Sequence, residues 1–170
     1  MNPEIGLLLV ACAVAICTDL RERKIPNWLT AALAAGGLSL HVAHGWVVVV
    51  SAIAAGGVIF VLGTFAHSVG VFGGGDVKLL AAGSLAIGFP DCVLFILYTF
   101  LGGGVLAIAF ALSQRRLRTT LVNVRALAQT RTRLDDAAPS ARMPYAIAIG
   151  FGAAIVALAD TILPAMRFPT

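Results

Sequence analysis

The chain alternates long apolar stretches with short polar segments. A helix needs about 20 apolar residues to cross the hydrocarbon core of a bilayer, with about 17–25 as the usual range. Most of the apolar stretches approach this length, and the pattern predicts a bundle of six transmembrane helices, that is, an all-α polytopic membrane protein. The predicted spans are Pro3–Thr18, Trp28–Val42, Trp46–Ala66, Val77–Phe89, Cys92–Leu112 and Tyr145–Leu163.

The composition agrees with this pattern. Of 170 residues, 59% are hydrophobic and only 12% are charged, and the mean hydropathy is +0.96. These values exclude an ordinary soluble domain and leave room for one membrane domain comprising residues 1–170. We therefore expect contact with membrane lipid and no nucleic-acid partner. The N-terminus lacks the basic region of a signal peptide, so the first apolar stretch is interpreted as a retained span.

The basic residues are concentrated in two segments. Ten of the twelve Lys and Arg residues lie between spans one and two or in the loop at about 113–142. In a six-span protein both segments face the same side, and the positive-inside rule predicts that this side is cytoplasmic and that both termini are outside. The longer loop fits either an amphipathic helix on anionic lipid or a solvated basic loop.

The fourth apolar stretch is short for a span. Its 13 residues extend about 20 Å as a helix, against a hydrocarbon core of about 30 Å. One explanation is that Gly73–Gly75 dips below the membrane surface, because irregular backbone there is tolerated when it is buried in protein or lines a wet cavity. The alternative is that Val69–Phe72 extends the helix and the glycines lie within it.

Two acids mark the predicted cytoplasmic ends of spans. Asp19 ends the first span and Asp76 precedes the fourth, 57 residues later. Three glycines lead into Asp76 and let the backbone lie close to another chain, while Asp76 itself suits the first turn or the N-cap of a helix. Two carboxylates in a partly dry cavity do not easily ionise together. A charged acid that activates water beside a protonated acid that polarises a carbonyl is the aspartic-protease arrangement.

Other chemistries have weaker support. The three cysteines form no CxxC pair, HExxH is absent, and the histidines have no ligand partners at suitable spacing, so no metal and no cofactor are expected. A small transporter or proton-coupled channel could use Asp19 and Asp76 as a relay. That reading does not explain the glycines before Asp76 or why both acids lie at one face. A structural membrane subunit is the third possibility.

Four features resemble the prepilin peptidase (type IV leader peptidase) family of membrane aspartyl proteases. Asp19 is followed by Ile25-Pro26-Asn27, and Gly73-Gly74-Gly75-Asp76-Val77-Lys78 fits a glycine-x-glycine-aspartate signature with its following lysine. Met143-Pro144-Tyr145-Ala146 resembles the segment that opens the family's last span. The number and order of the spans also agree.

The resemblance implies catalytic roles and a substrate. It assigns catalysis to Asp19 and Asp76 and removal of the leader from a prepilin or pseudopilin at the cytoplasmic face of the bacterial inner membrane. Pro26 and Asn27 would belong to a structural turn, since Pro26 fixes its own φ and disfavours helix before it. The residues that would bind substrate or support the site are Gly73, Gly74, Gly75, Lys78, Pro26, Asn27 and Pro144.

The chain is most similar to the short members of the family. The long, bifunctional members carry a cysteine-paired cytoplasmic insertion and methylate the new N-terminus; this chain lacks that insertion, so methylation is not part of the expectation. The short peptidases of tight-adherence (Flp) pilus systems match better. Archaeal preflagellin peptidases share the aspartate signature and remain an alternative.

Overall fold

The computed structural model describes residues 2–69, 72–113 and 145–162, and the ordered elements in these ranges are helices without any strand. This confirms the predicted all-α class. The loop at about 113–142, with its hypothetical surface helix, lies outside the described residues. The helices are α1 (Pro3–Glu22), α2 (Asn27–Val42), α3 (Trp46–Ser68), α4 (Gly74–Ile87), α5 (Asp91–Ser113) and α6 (Ala146–Ile162).

Within the described residues, three helices are long and apolar enough to cross a membrane. They are α1, α3 and the Asp91–Ala109 portion of α5, and α6 is apolar but has 17 residues. Large apolar side chains such as Trp46, Val47 and Phe65 remain exposed on the outside of the bundle, as expected where lipid replaces water as the solvent. The chain is thus an α-helical membrane protein, whereas the count of six spans and the orientation of the termini stay predictions.

The short helix α4 lies at the centre of the bundle. It packs against α1, α2, α3 and α5, and nine of its 14 residues are buried. At about 1.5 Å per residue it is roughly 21 Å long. Because its neighbours cover it on most sides, the length of α4 is set by protein packing more than by the thickness of the bilayer.

Small residues bring the surrounding helices close to α4. Gly37 of α2 faces Ala86, and a Cβ placed on Gly56 of α3 would lie 2.7 Å from the Cβ of Leu85. Such contacts let helix backbones approach closely in membranes. Gly37 and Gly56 therefore serve helix packing, whereas Gly57 faces open space.

Two helix boundaries differ from the predictions in ways that affect the aspartates. Helix α1 continues past Asp19 to Glu22 and ends where Arg23, at φ 53°, donates its backbone N–H to the Asp19 carbonyl. Helix α4 begins at Gly74, before the predicted Val77. Both acids therefore lie inside helical turns. The idea that Val69–Phe72 extends α4 is wrong, because Phe72 is in a bend and Gly73 is extended at φ −71° and ψ 144°.

Contacts between side chains define two ends of the bundle. At one end, which we call the site end, the first turns of α2, α4 and α6 lie near the last turn of α1. At the far end the Nδ1 of His41 lies 3.7 Å from the Glu4 carboxylate, and Asp160 accepts a hydrogen bond from the Asn2 backbone at 3.1 Å. The histidines at 41 and 44 thus lie far from the aspartates, as the alternation of spans predicts.

Candidate active site

Asp76 lies in the first turn of α4, where sequence reasoning expects it, although it is not the N-cap. Gly73 occupies the N-cap position, and Asp76 is the third residue of the helix. The Asp76 carboxylate accepts a hydrogen bond from the Gly73 backbone N–H. This is the return half of a capping box, which satisfies an N–H group that the helix leaves unpaired.

The structure brings Asp19 and Asp76 into electrostatic contact. Both side chains are partly buried. Asp19 lies in the last turn of α1, and Asp76 lies in the first turn of α4, one residue before the start of the predicted fourth span at Val77. The pKa of Asp76 is raised from 3.8 to about 6; burial is the largest cause, the negative charge of Asp19 adds to it, and the hydrogen bond from Gly73 opposes both. The two acids interact because the packing of α4 among its neighbours brings distant segments together.

This arrangement separates the chemical roles available to two like groups. A carboxyl group with a raised pKa keeps its proton in mild acid, where it donates a hydrogen bond instead of accepting one. A neighbouring carboxylate that is charged serves as a base for water. The raised pKa of Asp76 thus suits it to the role of proton donor in acid–base hydrolysis.

The three glycines before Asp76 have different surroundings. A Cβ placed on Gly73 would lie 2.7 Å from the Asp76 carboxylate, and one placed on Gly75 would lie 3.2 Å from the Cβ of Ile25. A Cβ on Gly74 would lie 3.7 Å from the His67 ring, an ordinary contact distance. Gly73 and Gly75 therefore have a steric reason to be glycine, and Gly74 has none.

Lys78 connects the start of α4 to the start of α2. Its Nζ donates a hydrogen bond to the Oδ1 of Asn27 at 2.9 Å. Asn27 is the first residue of α2, and Pro26, in an extended conformation, is the N-cap. The segment Ile25–Asn27 thus contacts α4 at both Gly75 and Lys78. The remaining sequence-based site residue, Pro144, lies outside the described residues.

Metal-binding geometry is absent from the part of the chain that the structure describes. No group of three or more His, Cys, Asp or Glu side chains there is placed to hold an ion.

The sequence profile of the type IV leader peptidase family matches residues 6–108 of the chain, which include both aspartates. The chain belongs to the type IV leader peptidase family. Membership identifies the protein as a protease, with type IV prepilins as its implied substrates. No curated protein and no solved structure shows significant similarity to the chain.

Sequence reasoning missed an aromatic cluster beside the site of this peptidase. The ring of Phe72 packs edge-on against Tyr145 and Phe100, with centroid distances of 5.0 and 5.8 Å. The Nδ1 of His67 donates to the Phe72 carbonyl at 2.7 Å, which anchors the turn before the glycines. Tyr145 is also near enough to Asp76 for their charges to interact.

The sequence contains only a weak signal for this cluster. Phe72 directly precedes the glycines and Tyr145 directly follows Pro144, so both adjoin a recognised motif. Nothing in their spacing pairs them, because an aromatic residue in an apolar stretch ordinarily indicates lipid contact or packing. The tertiary structure is needed to show that these rings flank Asp76.

Proposed function

We propose that this peptidase is an aspartic-type endopeptidase that removes the leader peptide from Flp-like type IV prepilins. In this proposal residues 1–170 form one membrane peptidase domain in the bacterial inner membrane, and cleavage occurs at its cytoplasmic face. The family membership supports the reaction class, and the concentration of Lys and Arg in two segments supports the orientation. The absence of a cysteine-paired insertion favours the tight-adherence subtype.

Asp19 and Asp76 act as one catalytic dyad in this mechanism. Asp76 carries the proton and donates a hydrogen bond to the scissile carbonyl oxygen, while charged Asp19 accepts a proton from the attacking water. The water oxygen bonds to the carbonyl carbon, and the carbonyl oxygen takes the Asp76 proton. The C–N bond then breaks as Asp19 gives its proton to the leaving amine and Asp76 takes a proton back from one hydroxyl of the gem-diol, which becomes the carbonyl of the product acid.

The other site residues position this dyad. Gly73 leaves room for the Asp76 carboxylate, and Gly75 lets α4 approach Ile25. Lys78 and Asn27 hold the starts of α4 and α2 together. Pro26 shapes the chain where α2 begins, Gly74 contributes backbone alone, and Pro144 keeps the supporting role that the family resemblance implies.

One observation carries the proposal: the half-buried Asp76 has a raised pKa, caused first by burial and second by the negative charge of Asp19. A perturbed acid that interacts with a second acid is characteristic of functional sites. Acids spread along a transport path would not need to meet at one end of the bundle.

The test is cleavage of a purified Flp-type prepilin by the purified, lipid-reconstituted protein. Asp19→Asn and Asp76→Asn should each remove nearly all turnover, and the double variant should be hardly worse than either, because residues that act as a unit are not additive. Asp160→Asn is the matched control, since Asp160 lies at the far end near Asn2, and it should keep most activity. A chelator should have no effect. Substantial cleavage by a folded, inserted single variant of the dyad would refute the mechanism.

A further inference from the structure

A cavity opens between α3, α4 and α5 beside the candidate active site. Its volume is about 150 Å³, and apolar side chains line it almost completely. Phe72 and Val77 form the part nearest the dyad, and Leu80, Ile59 and Ile96 lie deeper in the bundle. None of the residues that line the cavity has a polar side chain.

The cavity is continuous along the chain with the catalytic segment. Val77 directly follows Asp76 in α4, and Phe72 directly precedes Gly73. From there the lining residues advance along all three helices away from the site end: from Ala66 towards Ile59 in α3, from Val77 to Leu80 in α4, and from Phe100 to Ile96 in α5. A substrate that is bound at the dyad and continues into the bundle would meet this cavity first.

The size of the cavity limits what it can hold. An apolar cavity of about 150 Å³ lined by Leu, Ile and Phe stays dry and binds one benzene molecule. The cavity here has a similar volume and similar side chains, and it is open on the side where Leu62 and Phe100 are 59% and 50% exposed. It therefore suits one aromatic ring or one branched aliphatic side chain, and it is too small for a helix.

The wall nearest the dyad is held in place before any ligand binds. The Phe72 backbone is anchored by His67 and its ring by Tyr145 and Phe100. Val77, which also belongs to this wall, is held by α3: a Cβ placed on Gly63 would lie 2.7 Å from a methyl group of Val77. A preformed apolar site of this kind discriminates by shape.

We propose that this cavity is a specificity pocket that receives the first apolar side chain after the scissile bond of the substrate. The inference rests on the proposed function, since it needs a peptide bond to be held at the dyad. The pocket suits the residue after the scissile bond better than the residue before it, because the cavity extends from Asp76 into the bundle. A leader that remains at the site end would run away from the cavity.

The pocket predicts a ranking of substrates. A prepilin with Phe or Leu at the first position after the bond should be cleaved with a higher kcat/KM than the same prepilin with Ala there. The difference should be about tenfold or more, because one methylene in an apolar pocket changes discrimination about 10–200-fold.

The test combines this substrate series with a variant that fills the pocket. Ala66 lines the cavity from α3, and Ala66→Leu should reduce kcat/KM for the Phe prepilin about tenfold or more while leaving the Ala prepilin nearly unchanged. Ala54→Leu is the matched control, because Ala54 is on the same helix and is exposed outside the cavity. It should leave the ranking of substrates unaltered.

A second variant tests the opposite change in size. Ile96 lines the inner part of the cavity, and Ile96→Ala should shift the preference towards a larger side chain such as Trp. This variant keeps the proposal testable if Ala66→Leu does not fold. A change of preference in opposite directions for the two variants supports a pocket that binds substrate.

The contrary results are distinct. If both variants slow cleavage of every prepilin equally, or leave all preferences unchanged, the cavity is a lipid acyl-chain site or a packing defect and the inference is wrong, although the dyad stands. If instead the Asn variants of the dyad cleave normally, the proposed function fails and the pocket inference fails with it.

Discussion

The ammonium group of Lys78 and the side-chain amide of Asn27 form a hydrogen bond of 2.9 Å across 51 residues of sequence. Sequence reasoning placed the two residues in separate motifs, each among those that would bind substrate or support the site. The bond joins the first turns of α4 and α2, the helices that begin beside Asp76 and shortly after Asp19. It acts as a tie between the two segments next to the proposed catalytic aspartates.

Breaking this tie should reduce catalysis without abolishing it. A single hydrogen bond contributes about 0.5–1.5 kcal/mol, and the exposed position of Lys78 puts the expectation in the lower part of that range. Lys78→Met and Asn27→Ala should each lower kcat/KM roughly two- to fivefold. The double variant should match the worse single variant, because the partners share one interaction. Fully additive losses would show that Lys78 and Asn27 act separately.

The three glycines should differ in whether they tolerate a side chain. Gly73→Ala should displace the Asp76 carboxylate, which a Cβ would approach to 2.7 Å, and Gly75→Val should push α4 away from Ile25. Both should lose most activity, whereas Gly74→Ala should retain it because its Cβ would make an ordinary contact. Gly57→Val, which faces open space, controls for substitution of glycine in a helix. Inactivity of Gly74→Ala would contradict this steric account.

The pH dependence of cleavage should reflect the proton on Asp76. Because its pKa is raised to about 6, kcat/KM should fall as the pH rises through about 6, where the proton donor is lost. The same ionisation destabilises the fold: the contribution of Asp76 to stability is fully present below about pH 4, the ordinary range of an aspartate, and is lost as the pH rises through about 6. A pH–rate profile and thermal unfolding at several pH values would measure both effects.

Removing Asp19 should separate the causes of that shift. Asp19→Asn deletes the negative charge, so the pKa of Asp76 should fall, yet it should stay above the ordinary value because burial is the larger cause. Infrared titration of the protonated carboxyl band would detect the change. A pKa for Asp76 that is identical with and without Asp19 would show that the two acids do not interact.

The membrane orientation can be tested by labelling. In a cysteine-free background, cysteines at positions 118 and 131 should resist an impermeant thiol reagent in intact cells, and they should react after the membrane is opened. A cysteine at position 44, at the far end of the bundle, should react from outside. The prediction follows from the concentration of Lys and Arg in the two basic segments. Labelling of position 118 or 131 in intact cells would show that the basic loop faces the outside and that the predicted orientation is wrong.

The sequence by itself determined that the protein is an α-helical membrane protein and that it belongs to a family of proteases. Hydropathy identified the helices, because apolar stretches of this length are stable only in lipid or in a packed core. Asp19 and the glycine-aspartate segment at Gly73–Asp76 identified the family, since each motif is local and needs no knowledge of packing. The helix boundaries were predicted less accurately. The apolar stretches predicted that α1 ends at Thr18, but the helix continues through polar residues to Glu22. They predicted that α4 begins at Val77, but the helix already begins at Gly74.

Only the tertiary structure decided which distant residues meet. The electrostatic interaction of Asp19 with Asp76, the bond from Lys78 to Asn27 and the ring of Phe72 against Tyr145 each join segments far apart in sequence. Such pairs depend on which faces α4 turns towards its neighbours, and a helix that is apolar on nearly every side does not specify those faces. Packing of small residues against α4 selects one arrangement, and that arrangement places the apolar cavity beside Asp76.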